Sequence, residues 1–165
     1  MKKINVYIWC NKEQIPMYLD FFVIKNKCSF EIIIWKKTNA MPLFNNKYLS
    51  DKEFCLYFKK GGYCNPKDYE SAKTLWEMPI NIKDKSLFDH PTIKPLEIIK
   101  ALIENSSKEN DIVADFFLGS GTTAVACKEL NRQYIGFEIN KEWYDIAKDR
   151  LECVDANGQI SLVLR

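Results

Sequence analysis

The chain has 165 residues, of which 47% are hydrophobic and 28% charged, a composition that excludes a disordered or fibrous protein. No apolar run approaches the roughly 18 residues that a membrane span needs, so no membrane association is predicted. The net charge is only +2, but residues 1–89 carry 15 basic and 10 acidic groups, whereas residues 90–165 carry 9 and 12. The basic first half suits a polyanionic partner, and chance surface charge is the alternative.

The first part of the chain alternates between apolar segments and polar loops. Segments rich in β-branched and aromatic residues predict strands at 3–10, 29–35 and 53–58. Between the first two strands, apolar residues recur at helical spacing and predict a helix over 14–23.

Residues 61–89 follow no period and mix Tyr, Trp, Asn and Lys with two prolines. We interpret them as an extended loop or a short target-recognition insert, because aromatic rings can stack on bases while lysines meet phosphates. The sequence leaves equally open that Tyr69, Leu75 and Trp76 only pin this loop to the core.

The second part of the chain predicts alternating helices and strands. The predicted helices lie at 96–105, 122–130 and 141–151, and the predicted strands at 112–117, 133–140 and 160–164. The run from Ile112 to Phe117 is almost wholly apolar, as in a parallel strand buried on both faces. Thr122 or Thr123 is expected to cap the helix that follows.

A glycine loop between the first of these strands and its helix has the pattern of a nucleotide site. Gly119-x-Gly121-x-x-Ala124 fits the dinucleotide-binding fingerprint, and Glu138 stands where a carboxylate accepts hydrogen bonds from ribose hydroxyls. Asp115 would repel a pyrophosphate but can accept a hydrogen bond from an ammonium group. The charges therefore favour S-adenosylmethionine over NAD, and a small NAD-linked Rossmann enzyme is the lesser alternative.

Three motifs resemble those of the bacterial and phage DNA methyltransferases that modify exocyclic amino groups. Residues 115–123 resemble the cofactor motif D-P-F-x-G-S-G-T-T, with Phe116 in place of the proline. Residues 90–95 resemble the H-P-T-x-K-P motif that precedes it, and residues 136–140 resemble the ribose-binding strand. The resemblance covers nearly the whole chain and follows the β-type order, in which the catalytic half precedes the cofactor half.

The resemblance implies an α/β fold with the Rossmann-like sheet of S-adenosylmethionine-dependent methyltransferases, mostly parallel and with flanking helices. It implies methyl transfer from S-adenosyl-L-methionine to double-stranded DNA, at adenine N6 in preference to cytosine N4. The residues that it assigns to cofactor binding are Asp115, Phe116, Phe117, Leu118, Gly119, Ser120, Gly121, Thr122, Thr123, Glu138, Ile139, Asn140, His90, Thr92, Lys94 and Pro95.

The catalytic tetrapeptide of this family, [DNS]-P-P-[YFW], does not occur in the chain, so no catalytic residue is assigned. Its nearest counterpart, residues 65–69, has Lys67 in place of the second proline and lies where the recognition insert belongs. We therefore expect a truncated methyltransferase domain that lacks the strand bearing this motif. Such a chain is expected to be inactive without a separate N-terminal fragment, to associate with that fragment or with itself, or else to be a non-catalytic module that binds S-adenosylmethionine or DNA.

Six cysteines occur without a C-x-x-C pair, and His90 is the one histidine. This pattern predicts no metal site, and it indicates reduced core cysteines in a cytoplasmic protein.

Overall fold

A computed structural model describes residues 3–41, 48–80 and 93–152. The chain divides into two compact units, Met1–Ile80 and Asn81–Arg165. The predicted strand at 160–164, residues 81–89 of the predicted insert, and the motif residues His90 and Thr92 lie outside the described residues. In the part that is described, no helix combines the length and the apolar character that crossing a membrane requires.

The first unit is a four-stranded sheet with one helical segment. Its strands are β1 (Ile4–Cys10), β2 (Ser29–Lys37), β3 (Lys52–Lys60) and β4 (Leu75–Met78). The helical segment opens with a 3₁₀ turn (Lys12–Gln14), continues as α1 (Ile15–Leu19) and ends as a π-helix (Asp20–Lys25). The predicted helix and the three predicted strands are thus confirmed.

The strand order of this sheet is β1-β3-β2-β4. Strand β3 is antiparallel to both of its neighbours, while β2 and β4 run parallel. Leu56 and Phe58 on β3 form the core with Cys28. The helical segment covers this core, and the Phe22 and Phe58 rings stack with centroids 4.4 Å apart.

Strand β4 was not predicted from the sequence, because its four residues are too few to show a period. Pairing with β2 fixes it: the Ile34 N–H donates to the Thr74 carbonyl at 2.7 Å, and the Trp35 indole N–H donates to the Met78 carbonyl at 3.0 Å. Long-range pairing of this kind is decided by the partner strand rather than by local propensity.

The second unit is built on a β-α-β arrangement. Its elements are α2 (Leu96–Ser106), β5 (Ile112–Asp115), α3 (Thr122–Glu129), β6 (Gln133–Gly136) and α4 (Lys141–Glu152). Strands β5 and β6 pair in parallel, with Ala114 opposite Ile135. Helix α3 packs against β6, α2 and α4, and the Lys100–Glu129 ion pair, at 2.7 Å, ties α2 to α3.

These elements confirm the α/β class with flanking helices. The strand directions are mixed rather than mostly parallel, because β3 is antiparallel to both of its neighbours. The predicted strand 112–117 ends earlier than expected, at Asp115. Phe116 and Phe117 leave it and are 66% and 90% exposed, so the expectation of burial on both faces is wrong for them. The reason is that β5 has one described neighbour, β6, and Ile112 at its start is also exposed. Of the six cysteines expected in the core, Cys28, Cys55 and Cys127 are buried free thiols, whereas Cys10 and Cys64 are only half-buried and Cys153 lies outside the described residues.

Candidate functional site

The glycine loop turns sharply between β5 and α3. Gly119 and Gly121 have φ angles of 55° and 85°, a left-handed conformation that costs other residues energy. The Gly121 N–H donates to the Leu118 carbonyl at 3.0 Å and closes the turn. Gly121 is itself the N-cap of α3, and no side chain caps the helix, so the prediction that Thr122 or Thr123 does so is wrong.

Gly121 is also required by helix packing. A Cβ atom at this position would lie 2.9 Å from the Cβ of Ala147 in α4, closer than non-bonded carbons approach one another. Ala147 is buried at 2% exposure. Because Gly121 has no side chain, α4 can pack against the loop. The same residue also permits the turn.

Glu138 is fixed by the loop that it faces. Its Oε2 accepts the Gly119 N–H at 2.8 Å, and its Oε1 accepts the Asn140 N–H at 2.9 Å. A carboxylate has about four acceptor positions, so two remain for a ligand. Glu138 follows β6 by two residues, which places it beyond the carboxyl end of the strand, where ligands bind in parallel sheets.

Asp115 occupies the corresponding end of β5. Its Oδ1 accepts the Phe117 N–H at 3.0 Å, and its carbonyl accepts the Phe137 N–H at 2.9 Å. Within the described ranges, neither Asp115 nor Glu138 forms an ion pair. Two carboxylates that have no cationic partner among the described residues make this end of the sheet attractive to a positively charged ligand with hydrogen-bond donors.

Arg150 in α4 was not predicted as a site residue, yet its side chain forms hydrogen bonds with the glycine loop. It is buried at 3% exposure, and its Nη1 donates to the Ser120 carbonyl at 2.7 Å, to the Ser120 hydroxyl at 3.1 Å and to the Thr122 hydroxyl at 3.3 Å. Helical spacing could have identified it, because Arg150 lies three residues after the buried Ala147 and therefore on the same face of α4.

Apolar side chains at the same end of the sheet are exposed. Phe117 is 90% exposed and Ile139 is fully exposed, while the Phe116 and Phe137 rings stack at 5.7 Å. Large apolar side chains brought together at a surface mark a binding site for an apolar group. The loop therefore presents carboxylates, backbone amides and apolar side chains together.

Residues 93–95, the described part of the motif that resembles H-P-T-x-K-P, lie directly before α2. Pro95 is buried and is the N-cap of α2, Ile93 is buried, and Lys94 is half-buried. Because α2 packs against α3, this motif and the glycine loop belong to one packed unit. Its other predicted site residues, His90 and Thr92, lie outside the described residues.

The other reactive groups of the unit are considered only where the structure describes them. Among the residues that the structure describes, no group of three or more His, Cys, Asp or Glu side chains is arranged to hold a metal ion. Burial raises the pKa of the Cys127 thiol in α3 to about 11, which keeps it protonated and unreactive at neutral pH.

The family model for DNA methylases, of the type that methylates N6 or N4 amino groups, matches residues 5–149. The chain belongs to this family. Among curated members, it is 37% identical over 132 residues to the type II methyltransferase M2.LlaDCHI of Lactococcus lactis subsp. cremoris, a match that covers 72% of this chain and 49% of that protein. It is 34% identical over 133 residues to M2.DpnII of Streptococcus pneumoniae, covering 73% of this chain and 50% of that protein.

A solved structure supports the fold. The crystal structure of the M1.HpyAVI–SAM complex is similar to this chain with a TM-score of 0.74 and 32% identity, over 92% of this chain and 76% of that one. The chain spans about half the length of the curated DNA methylases that it matches.

Proposed function

We propose that this chain binds S-adenosyl-L-methionine at the glycine loop and supplies the cofactor half of a DNA amino-methyltransferase. The observation that carries the proposal is the pair of carboxylates, Asp115 and Glu138, at the ends of adjacent parallel strands and oriented by backbone amides. S-adenosylmethionine carries a cationic sulfonium, an ammonium group and ribose hydroxyls. A pyrophosphate cofactor would instead place negative charge beside both carboxylates.

Each chemical group of the cofactor is assigned to particular residues of the site. Asp115 accepts a hydrogen bond from the ammonium group, and the unused acceptor positions of Glu138 receive the ribose hydroxyls. The cofactor carboxylate is met by the N-terminal turn of α3 and by Lys94. Phe117 and Ile139, both exposed, pack against the adenine ring.

When bound, the cofactor supplies an activated methyl group. The transfer places that group on an exocyclic amino nitrogen, at adenine N6 in preference to cytosine N4, in double-stranded DNA. Catalysis of this kind is largely a matter of orientation. The residues that orient the base are expected on polypeptide outside the 165 residues, since no [DNS]-P-P-[YFW] tetrapeptide occurs within them.

Calorimetry tests the cofactor assignment. The chain is titrated with S-adenosylmethionine and, separately, with NADH, and only the former is expected to bind. Asp115→Asn and Glu138→Gln should each weaken binding about tenfold or more, because each removes a charge-assisted hydrogen bond. Glu142→Gln, which alters an exposed carboxylate in the first turn of α4, is the matched control and should bind normally.

Binding of NADH but not of S-adenosylmethionine would overturn the proposal in favour of a nicotinamide-linked enzyme. Binding of S-adenosylmethionine that is unaffected by either substitution would show that the ligand occupies another place.

A complementation assay tests the transferase activity. The chain is assayed alone and after coexpression with the N-terminal part of a relative such as M2.DpnII, with labelled S-adenosylmethionine and unmethylated duplex DNA. We expect no transfer by the chain alone and transfer in the presence of the complement. Cofactor binding without transfer in either case would favour a non-catalytic binding module, and transfer by the chain alone would show that it orients the base itself.

A further inference from the structure

Strands β5 and β6 present a continuous set of side chains on one face of their sheet. Successive residues of a strand alternate between the two faces, and residues that are paired in parallel strands share a face. The register pairs Ile112 with Gln133 and Ala114 with Ile135. These four residues therefore form one face of the strand pair, which we call the open face.

The open face is exposed along its whole length. All four of its residues are exposed, Ile112 at 62% and Ile135 at 49%. On the opposite face, Tyr134 is 41% exposed, and the other three residues are half-buried: Val113, Asp115 and Gly136. Helix α3 packs against β6, and the difference in burial places it on that opposite face.

Two aromatic rings extend the open face beyond the ends of the strands. Phe116 and Phe137 directly follow β5 and β6, and the alternation of side chains assigns both to this face. Their rings stack with centroids 5.7 Å apart and are 66% and 54% exposed. The apolar surface therefore runs from Ile112 to the end of the sheet at which Asp115 and Glu138 lie.

The chemistry of the open face suits a polypeptide rather than a nucleic acid. Apart from Gln133, its side chains and the two rings are apolar, and none is a cation that could meet a phosphate. Parallel sheets are covered by helices on both faces, and large exposed apolar patches mark protein–protein contacts. One helix, about 10 Å across, covers two strands that lie about 4.8 Å apart. The open face therefore fits the apolar side of one amphipathic helix.

We infer that the open face binds an amphipathic helix of methyltransferase polypeptide outside these 165 residues, the same polypeptide that orients the base. This inference rests on the proposed function, for which it names the surface of association. The matches cover 49% of M2.LlaDCHI and 50% of M2.DpnII. About half of such a methyltransferase is thus available to supply the helix.

Docking on the open face connects the helix to the cofactor site. Phe116 directly follows Asp115, and Phe137 directly precedes Glu138. A helix that packs on these two rings lies beside the two carboxylates that are assigned to the cofactor. The residues that orient the base are thereby brought to the methyl donor.

Cysteine labelling of the full chain tests the inference. Ile112→Cys and Ile135→Cys each place a thiol on the open face, and Ile24→Cys is the control, because Ile24 in the first unit is 62% exposed, like Ile112. Each variant is labelled with a maleimide, alone and after coexpression with the N-terminal part of M2.DpnII, and the modified peptides are measured by mass spectrometry. All three thiols should react freely in the chain alone. In the complex, the two on the open face should react at least tenfold more slowly, and that of Ile24→Cys should be unchanged.

A charged substitution tests the same surface by affinity. Ile112→Glu places a carboxylate where the helix packs, and burial of an unpaired charge is strongly unfavourable. Capture of the complement should fall at least tenfold, while Ile24→Glu should capture it like the parent chain. Calorimetry with S-adenosylmethionine, in which both variants should bind like the parent chain, shows that each is folded.

Each outcome supports or overturns the inference. If the complement is captured while the thiols on the open face stay freely reactive, it docks elsewhere; the inference is wrong and the proposed function stands. Slow labelling of these thiols in the chain alone would mean that the chain's own residues cover the face, or a second copy does if sedimentation shows a dimer, and either result overturns the inference. Failure to capture the complement by a chain that binds S-adenosylmethionine also overturns it, whereas failure to bind S-adenosylmethionine overturns the proposed function itself.

Discussion

Gly121 meets two separate requirements, a left-handed backbone and contact with Ala147. Substitution by alanine adds the cost of a positive φ, about 1–2 kcal/mol, to the cost of overpacking, about 1–3 kcal/mol. We therefore expect Gly121→Ala to lower the free energy of unfolding by about 2–5 kcal/mol in urea denaturation.

The double variant Gly121→Ala with Ala147→Gly is the control for this prediction. Removing the opposing Cβ makes room for the new methyl group, so the combined loss should be smaller than the sum of the two single losses. Strict additivity would show that the helix contact carries no part of the cost.

Arg150 joins α4 to the loop through the backbone and hydroxyl of Ser120 and the hydroxyl of Thr122. Arg150→Met keeps the length of the side chain but leaves these buried acceptors without their donor, which costs about 2–3 kcal/mol of unfolding free energy. Because the loop loses its support, S-adenosylmethionine should also bind more weakly in calorimetry. Lys148→Met, two residues earlier at an exposed position, should change neither quantity, and an unaltered affinity in Arg150→Met would contradict a positioning role.

At the scale of elements, the turn formed by residues 68–73 depends on an ionised carboxylate, that of Asp68, which accepts the Ser71 N–H. The Ser71 N–H and hydroxyl hold the pKa of Asp68 below its ordinary value. A lowered pKa in the folded state means that the stabilisation is complete above the ordinary value of about 3.9 and is lost as pH falls through the folded pKa. In NMR spectra, the Ser71 amide resonance should therefore move only in acid, below about pH 4.

Asp68→Asn is the control for the acid transition, because its amide cannot ionise. Its Ser71 resonance should stay constant over the same pH range. A transition that persists in this variant would assign the acid sensitivity to another group.

The helices and strands differ in how far local patterns predict them. The helix at 96–105 and that at 141–151 were predicted within one residue of α2 and α4, because apolar side chains recur along one face of each. Strand β4 carries no such pattern and exists through its pairing with β2. The end of β5 at Asp115 was likewise not predicted, since an apolar run continues through Phe117 while the backbone already turns.

For the whole molecule, the two compact units predict a local response to the cofactor. The glycine loop and Glu138 belong to the unit Asn81–Arg165, so S-adenosylmethionine should slow amide exchange at residues 116–123 and 138–140 and leave β1 and β3 unchanged. When the concentration of S-adenosylmethionine is about one hundred times its Kd, the free energy of unfolding should rise by about 2.7 kcal/mol.

NADH at the same concentration is the control in this exchange experiment and should protect no segment. Equal protection of strands in both units by S-adenosylmethionine would contradict a site confined to one of them.

The sequence by itself determined the family and the α/β class, and it predicts the site from short contiguous motifs. Asp115, the two glycines and Glu138 carry their chemistry in residue type and spacing, which local sequence preserves. Only the tertiary structure decided which groups orient them. Glu138 accepts a hydrogen bond from the Gly119 amide, and Arg150 donates one to Ser120, thirty residues earlier in the chain. Ala147 leaves no room for a side chain at Gly121. Such contacts join distant segments and follow from packing, to which no local pattern corresponds.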